Sequence, residues 1–170
     1  MRIIIVILLI ASNSGFAQSK HSDDRTLVHQ YVLKNLKAEG NKLNVFPSTK
    51  KRSFDGFDFK ATSNLDQSPE KPWNKKEWIE FLSNVDTGAV KDYPLKWVKK
   101  QSNGAVKTAT PGSQTLIFAP ALFSADNSKV LIIAALYSPN RSSGSNMAWY
   151  FERTEHKWQL KGVQTYLYRD

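Results

Sequence analysis

The sequence predicts an α+β fold, with two N-terminal helices packed on a curved, mainly antiparallel sheet formed by the C-terminal half. Three observations carry this expectation. Two amphipathic stretches occupy the first half, near residues 22–38 and 74–88. From Ser113 the apolar period changes from helical to that of sheet, and three or four strands separated by turns follow. Helices first and strands afterwards is the order of an α+β domain, with both helices expected on one face of the meander.

The first helix is expected to open at Ser22-Asp23-Asp24, where Ser or Asp caps and the acids suit the positive end of the dipole. Leu27, Val28, Tyr31, Val32 and Leu36 form its apolar stripe, His29 lies off it, and Gly40 stops it. Leu43 to Phe46 reads as a short strand, Thr49 to Arg52 as a basic turn, and Phe57 to Lys60 as a weak strand. The second helix has the fullest local grammar. Asn74 and Glu77 match a capping box, Trp73 and Trp78 match a hydrophobic staple, and Gly88 ends it. Lys75-Lys76 and Lys96 with Lys99-Lys100 are basic clusters interleaved with Trp73, Trp78 and Trp97. The staple accounts for the first two tryptophans without a ligand.

In the second half, Gln114 to Phe118 is one strand, and Leu122-Phe123 precede a turn at Ala125 to Ser128. Val130 to Tyr137 is apolar throughout, which predicts a central strand covered on both faces. Met147 to Arg153, a hairpin turn at Thr154 to Lys157, and Trp158 to Tyr168 complete the meander. Gly162 breaks the alternation of the last strand and predicts a bulge.

The N-terminus carries Arg2, an apolar run from Ile3 to Ala11, and Gly15-Phe16-Ala17. This is the layout of a secretory signal peptide, too short to span a bilayer. Residues 1–17 are therefore expected to be removed after Ala17, leaving residues 18–170 as a single domain without a transmembrane span. The chain has no Cys, which excludes a lipidated cysteine, a disulfide and a thiolate metal site. Its net charge is +9, which favours contact with anionic polymers, but an exported protein rarely meets nucleic acid.

The stretch Leu116 to Asp126, with its proline, its Phe123-Ser124-Ala125-Asp126 turn, the aliphatic strand after it and Lys157-Trp158-Gln159-Leu160, resembles a pattern in small uncharacterised exported proteins of Bacteroidota-type bacteria. The resemblance covers the last third of the chain and implies a fold rather than an activity. Helices before a curved sheet are also similar in outline to the nuclear transport factor-like cone fold, which hosts enzymes and binding modules alike.

Candidate chemistry is sparse. His21, His29 and His156 show no metal-ligand spacing, so neither metal nor cofactor is expected. His29 and His156 with a lysine, or Asp55 with Asp58, are the parts from which acid–base hydrolysis would have to be built. No GxSxG, GxGxxG or phosphate-loop motif is present. The polar segment Ser138 to Asn146 is longer than a usual hairpin loop. Arg141, Ser143, Gly144, Ser145 and Asn146 within it are the candidate binding residues, because such loops expose backbone N–H groups. The reading from sequence is an exported accessory or binding protein of the bacterial envelope, whose partner is an envelope protein or an anionic polymer. The alternatives are a small hydrolase or nuclease-like enzyme with a pocket in the concave sheet, and an inhibitor or immunity-type protein.

Overall fold

The computed structural model describes residues 13–57, 59, 68–98, 113–138 and 145–167, with side chains described between 23 and 166. Helix α1 spans Asn13–Ala38 and ends as expected: Gly40 takes a left-handed φ of 84° and its N–H donates to the Lys37 carbonyl. Its beginning differs from expectation, because the helix already runs through Ser22. Asp24 is therefore not a cap. Its carboxylate accepts hydrogen bonds from the Arg153 guanidinium and, at 3.1 Å, from the Trp158 indole, and so ties α1 to the last hairpin. The buried stripe is also rotated from the one predicted. Val28, His29, Val32 and Leu36 are buried, whereas Leu27 is 57% and Tyr31 40% exposed. Positions 28, 29, 32 and 36 keep helical spacing, and the fully buried His29 is one of them.

Among the described residues, six strands form one open sheet. They are β1 (Leu43–Val45), β2 (Gln114–Phe118), β3 (Leu122–Phe123), β4 (Lys129–Tyr137), β5 (Ser145–Thr154) and β6 (Lys157–Leu167). The spatial order is β1-β2-β4-β5-β6, with β3 also paired to β4. The sheet is thus not formed by the C-terminal half alone, because β1 pairs parallel with β2, Leu43 opposite Gln114. Every other pairing is antiparallel. The predicted strand at Phe57 to Lys60 is not found: Phe57 and Phe59 lie in irregular backbone, and Asp58 and Lys60 fall outside the described residues.

Strand β4 is buried from Val130 to Leu136, as its unbroken apolar run predicts. Its even-numbered residues, with Leu116, Phe118, Met147, Trp149 and Phe151, pack against Val28, Val32 and Leu36 of α1. Leu131 and Ile133, with Ala148 and Tyr150, pack against Phe54, Trp73, Trp78 and Leu82 on the other side. The second helix, α2 (Lys76–Ser83), therefore lies on the face opposite α1, and the expectation of both helices on one face is corrected. A strand apolar on both faces requires a cover on each, and one helix cannot supply both.

The predicted cap of α2 is also revised. Trp73 lies in a 3-10 helix, Pro72–Asn74, and α2 begins only at Lys76, with Lys75 at the N-cap and no side-chain cap bond. The Asn74 amide donates instead to the Ser68 carbonyl, 2.9 Å away. Trp73 and Trp78 both pack on Tyr150, with ring centroids 5.4 and 5.1 Å away, and the Trp78 indole donates to Glu152 at 2.8 Å. The helix ends at Ser83 rather than near Gly88, whose N–H is held by Asp86. At Gly162 the β5–β6 register slips between Tyr150 and Phe151, the expected bulge. A Cβ on Gly162 would stand 3.0 Å from Pro72 Cδ and 3.2 Å from the Trp73 ring, so the glycine lets the 3-10 helix lie directly on the strand.

Candidate functional site

The polar segment between β4 and β5 is shorter than predicted. Ser145 and Asn146 belong to β5, opposite Leu136 and Ala135 of β4 and Leu167 and Tyr166 of β6. Asn146 is buried at 4% exposure, in the strand rather than in a loop. Arg141, Ser143 and Gly144 lie outside the described residues.

The described surface instead contains an open cleft of about 1110 Å³ between α2, the segment 86–93 and the turn joining β3 to β4. This turn is built by the Phe123-Ser124-Ala125-Asp126 sequence. Asp126 Oδ1 accepts from the Ser124 hydroxyl at 2.6 Å, the Ser128 hydroxyl at 2.8 Å and the Ser128 N–H at 3.0 Å. The Ser124 hydroxyl first, then Ser128, hold the Asp126 carboxyl down at about 2. Ser124 Oγ also accepts from the Lys129 N–H, and Asn127 takes the left-handed φ of 56° that closes the turn. Asp126 is thus committed to holding the hairpin.

Among the described residues, five carboxylates, Glu77, Glu80, Asp86, Asp92 and Asp126, line the cleft against three cations, Arg25, Lys91 and Lys129. An acidic cleft on a chain of net charge +9 is a local inversion. Three of the acids have structural duties: Asp126 as above, Asp86 at Gly88, and Asp92, which accepts the Lys51 N–H at 2.6 Å. Glu77 and Glu80 make no side-chain hydrogen bond or ion pair among the described residues. Both are exposed, beside half-buried Phe81.

Tyr93 organises the wall between this cleft and α1. Its N–H donates to Thr49 Oγ1 at 2.8 Å, its carbonyl accepts the Thr49 N–H at 2.9 Å, and its hydroxyl accepts the Ala121 N–H at 2.8 Å. The last bond fills the gap that Pro120 leaves between β2 and β3. Burial pushes the phenol up to about 12, so it stays protonated. The Arg25 guanidinium stacks over the Tyr93 ring, 5.0 Å from its centroid.

Among the described residues, the groups from which acid–base chemistry would be built do not converge. His29 is fully buried, its Nδ1 donating to the Arg25 carbonyl at 2.6 Å and its ring edge-on to Phe118 at 4.8 Å. Burial, with the nearby Arg25 cation, lowers its pKa from 6.5 to about 4. His156 is exposed in the β5–β6 turn, where both Glu155 and His156 adopt left-handed φ values of 48° and 68°. Asp126 lines the cleft; neither histidine does. Asp55 is exposed at the end of a 3-10 helix, Lys51–Phe54, and Asp58 lies outside the described residues.

No cluster of three or more His, Asp or Glu residues among the described ones has a geometry able to hold a metal ion. No described helix is long and apolar enough to cross a membrane. Sequence reasoning missed Arg25, Tyr93, Glu77 and Glu80 as cleft residues, since no spacing rule marks them. The only local signal was Tyr93 standing before Pro94. No family model matches the chain, and comparison with curated proteins and with solved structures gives no significant match.

Proposed function

We propose that this chain is an exported binding or accessory protein of the bacterial envelope, and that it engages a protein partner through the acidic cleft between α2 and the β3–β4 turn. The observation that carries this reading is Glu77 and Glu80 standing unpaired beside Phe81 in an open cleft whose other acids are structurally occupied. Two free carboxylates beside an aromatic ring suit a basic peptide segment. The enzyme alternative, a hydrolase with a pocket in a concave sheet, has less support. The sheet is covered on both faces by apolar side chains, and its candidate acid–base residues sit on separate elements.

Export rests on Arg2, the Ile3–Ala11 run and Gly15-Phe16-Ala17, with cleavage after Ala17. Asp24, which anchors α1 to Arg153 and Trp158, remains in the mature chain. The periplasm and the medium are equally compatible with these features. Intact mass of the protein recovered outside the cytoplasm tests this: loss of residues 1–17 is expected, and an uncleaved chain overturns it.

The binding reading is tested by immobilising residues 18–170 and washing bound envelope extract at low and then high salt. The expected result is a stoichiometric protein that the wild type retains and a Glu77→Lys, Glu80→Lys double variant loses. Equal retention by both proteins moves the contact elsewhere. Material lost from both at high salt indicates contact with an anionic polymer through the lysines instead.

A further inference from the structure

Helix α1 runs from Asn13 to Ala38 and so passes through the expected cleavage point between Ala17 and Gln18. In an α-helix each N–H donates to the carbonyl four residues earlier. The N–H groups of residues 18–21 are thus served by the carbonyls of residues 14–17, all of which leave with residues 1–17. Cleavage makes residue 18 the first of the helix and strips the acceptors from its whole first turn. It also creates an α-ammonium group at that end. The helix dipole is already positive there, so a further positive charge is unfavourable. The sequence offers no relief. Gln18-Ser19-Lys20-His21 holds a lysine and no acid, and the first carboxylates come only at Asp23 and Asp24. Asp24 is engaged by Arg153 and Trp158.

A terminal glutamine can discharge such an end by itself. The neutral α-amine attacks its own side-chain carbonyl carbon, Cδ. The N–Cδ bond forms and the Cδ–Nε2 bond breaks. One amine proton passes to the departing nitrogen, which leaves as ammonia. The product is a five-membered lactam, pyroglutamate, which carries no charge at neutral pH. No oxidant, reductant or second substrate is consumed. Ring closure involves only N, Cα, Cβ, Cγ and Cδ of one residue. It leaves untouched the residue 18 carbonyl, which the helix assigns to the Ser22 N–H. Asp24, which ties α1 to the last hairpin, stands about 9 Å further along the helix axis, so the change does not disturb that anchor.

We propose that the mature chain begins with pyroglutamate at position 18, formed from Gln18 with loss of ammonia, so that α1 starts without a cationic end. This rests on the export reading and on cleavage after Ala17. The test uses protein recovered outside the cytoplasm of the bacterium that produces it. Intact mass is measured first. Digestion before Asp23 then releases residues 18–22 for sequencing by tandem mass spectrometry, before and after treatment with pyroglutamyl peptidase. Gln18→Asn is the control, because its shorter amide could close only a strained four-membered ring.

The expected result is the mass of residues 18–170 less one ammonia, with the deficit on residue 18 and a terminus that the peptidase removes. Gln18→Asn should show the full mass and a free amine. Residues 18–170 at full mass with a free amine overturn the proposal and leave the export reading intact. A deficit located on any other residue overturns it equally. A chain that keeps residues 1–17 overturns the export reading and the proposal with it. The effect on the helix is read by hydrogen exchange near neutral pH, against protein released from a fusion with Gln18 uncyclised. The amides of residues 22–24 should exchange about two- to fivefold faster in the uncyclised chain. Equal rates overturn the role assigned to the helix end.

Discussion

The two faces of the sheet are covered by different means. On one, a long regular helix lays Val28, Val32 and Leu36 across the even-numbered residues of β4. On the other, a short helix and two single-turn 3-10 helices cover Leu131 and Ile133, largely with rings: Phe54, Trp73 and Trp78, with Phe57, Phe59 and Phe81 around them. Phe57 and Phe59 meet edge to face at 4.7 Å, and Phe57 reaches Tyr166 at 5.5 Å. An aromatic side chain buries enough area that irregular backbone can cover a strand with few residues. The helical face gains its cover from periodicity, and the irregular face from side-chain size.

The largest expected effect comes from removing one ring on the irregular face. Trp78→Ala deletes the contact with Tyr150 and strands Glu152 without its indole donor, and should destabilise by about 3–5 kcal/mol in denaturant titration. Leu36→Ala on the helical face should cost about 2–4 kcal/mol, within the usual range for a buried leucine. If the two values come out reversed, the irregular face is the less tightly packed one and the comparison fails.

His29 gives the helical face a dependence of stability on acid pH. Its pKa is lowered in the folded chain, from 6.5 to about 4, by burial and by Arg25. The unfolded chain therefore takes up a proton at a pH where the folded chain does not. The stability this contributes is complete above pH 6.5 and lost as pH falls toward about 4, by about 3 kcal/mol in all. Unfolding free energies measured across that window should fall more steeply for the wild type than for His29→Leu. Parallel curves would show that His29 is not held neutral.

A smaller effect is expected at the strand bulge. Gly162→Ala places a methyl 3.0 Å from Pro72 and should destabilise by about 1 kcal/mol, since ring atoms of a packed 3-10 helix cannot swing aside. A neutral or stabilising change would show that the Pro72–Asn74 turn yields easily. That would make the irregular face softer than its aromatic packing implies.

The same division explains what could be read from the sequence. β2 has the predicted limits, the β4 run shows itself buried on both sides, and Gly162 reveals its bulge because each depends on neighbours close in the chain. What could not be read depends on distant partners. Asn74 looks like a cap until Ser68 takes its amide, Asp24 looks like one until Arg153 and Trp158 claim it, and His29 looks solvated until Ala119 and Phe118 enclose it. The cleft was least legible of all. Its residues come from α1, α2, the Tyr93 segment and the β3–β4 turn, which no local pattern joins. Of the binding residues named from sequence, Ser145 and Asn146 proved to be strand residues because the β4–β5 ladder extends further than the polar composition suggested.

The parallel pairing of β1 with β2 also bears on the order in which the chain assembles. β3, β4, β5 and β6 can zip together through successive turns, each closing a short loop. β1 must wait for a partner far along the chain; Asn44 and Ser113, hydrogen-bonded beside this seam, are separated by 69 positions. Loop closure grows more costly with length, so the meander is the natural nucleus and β1 docks late. Amides of β1 should exchange with solvent sooner than those of β4. A chain made from its N-terminus thus carries an early strand with nothing to pair with, and the sheet cannot be completed until most of the sequence is present.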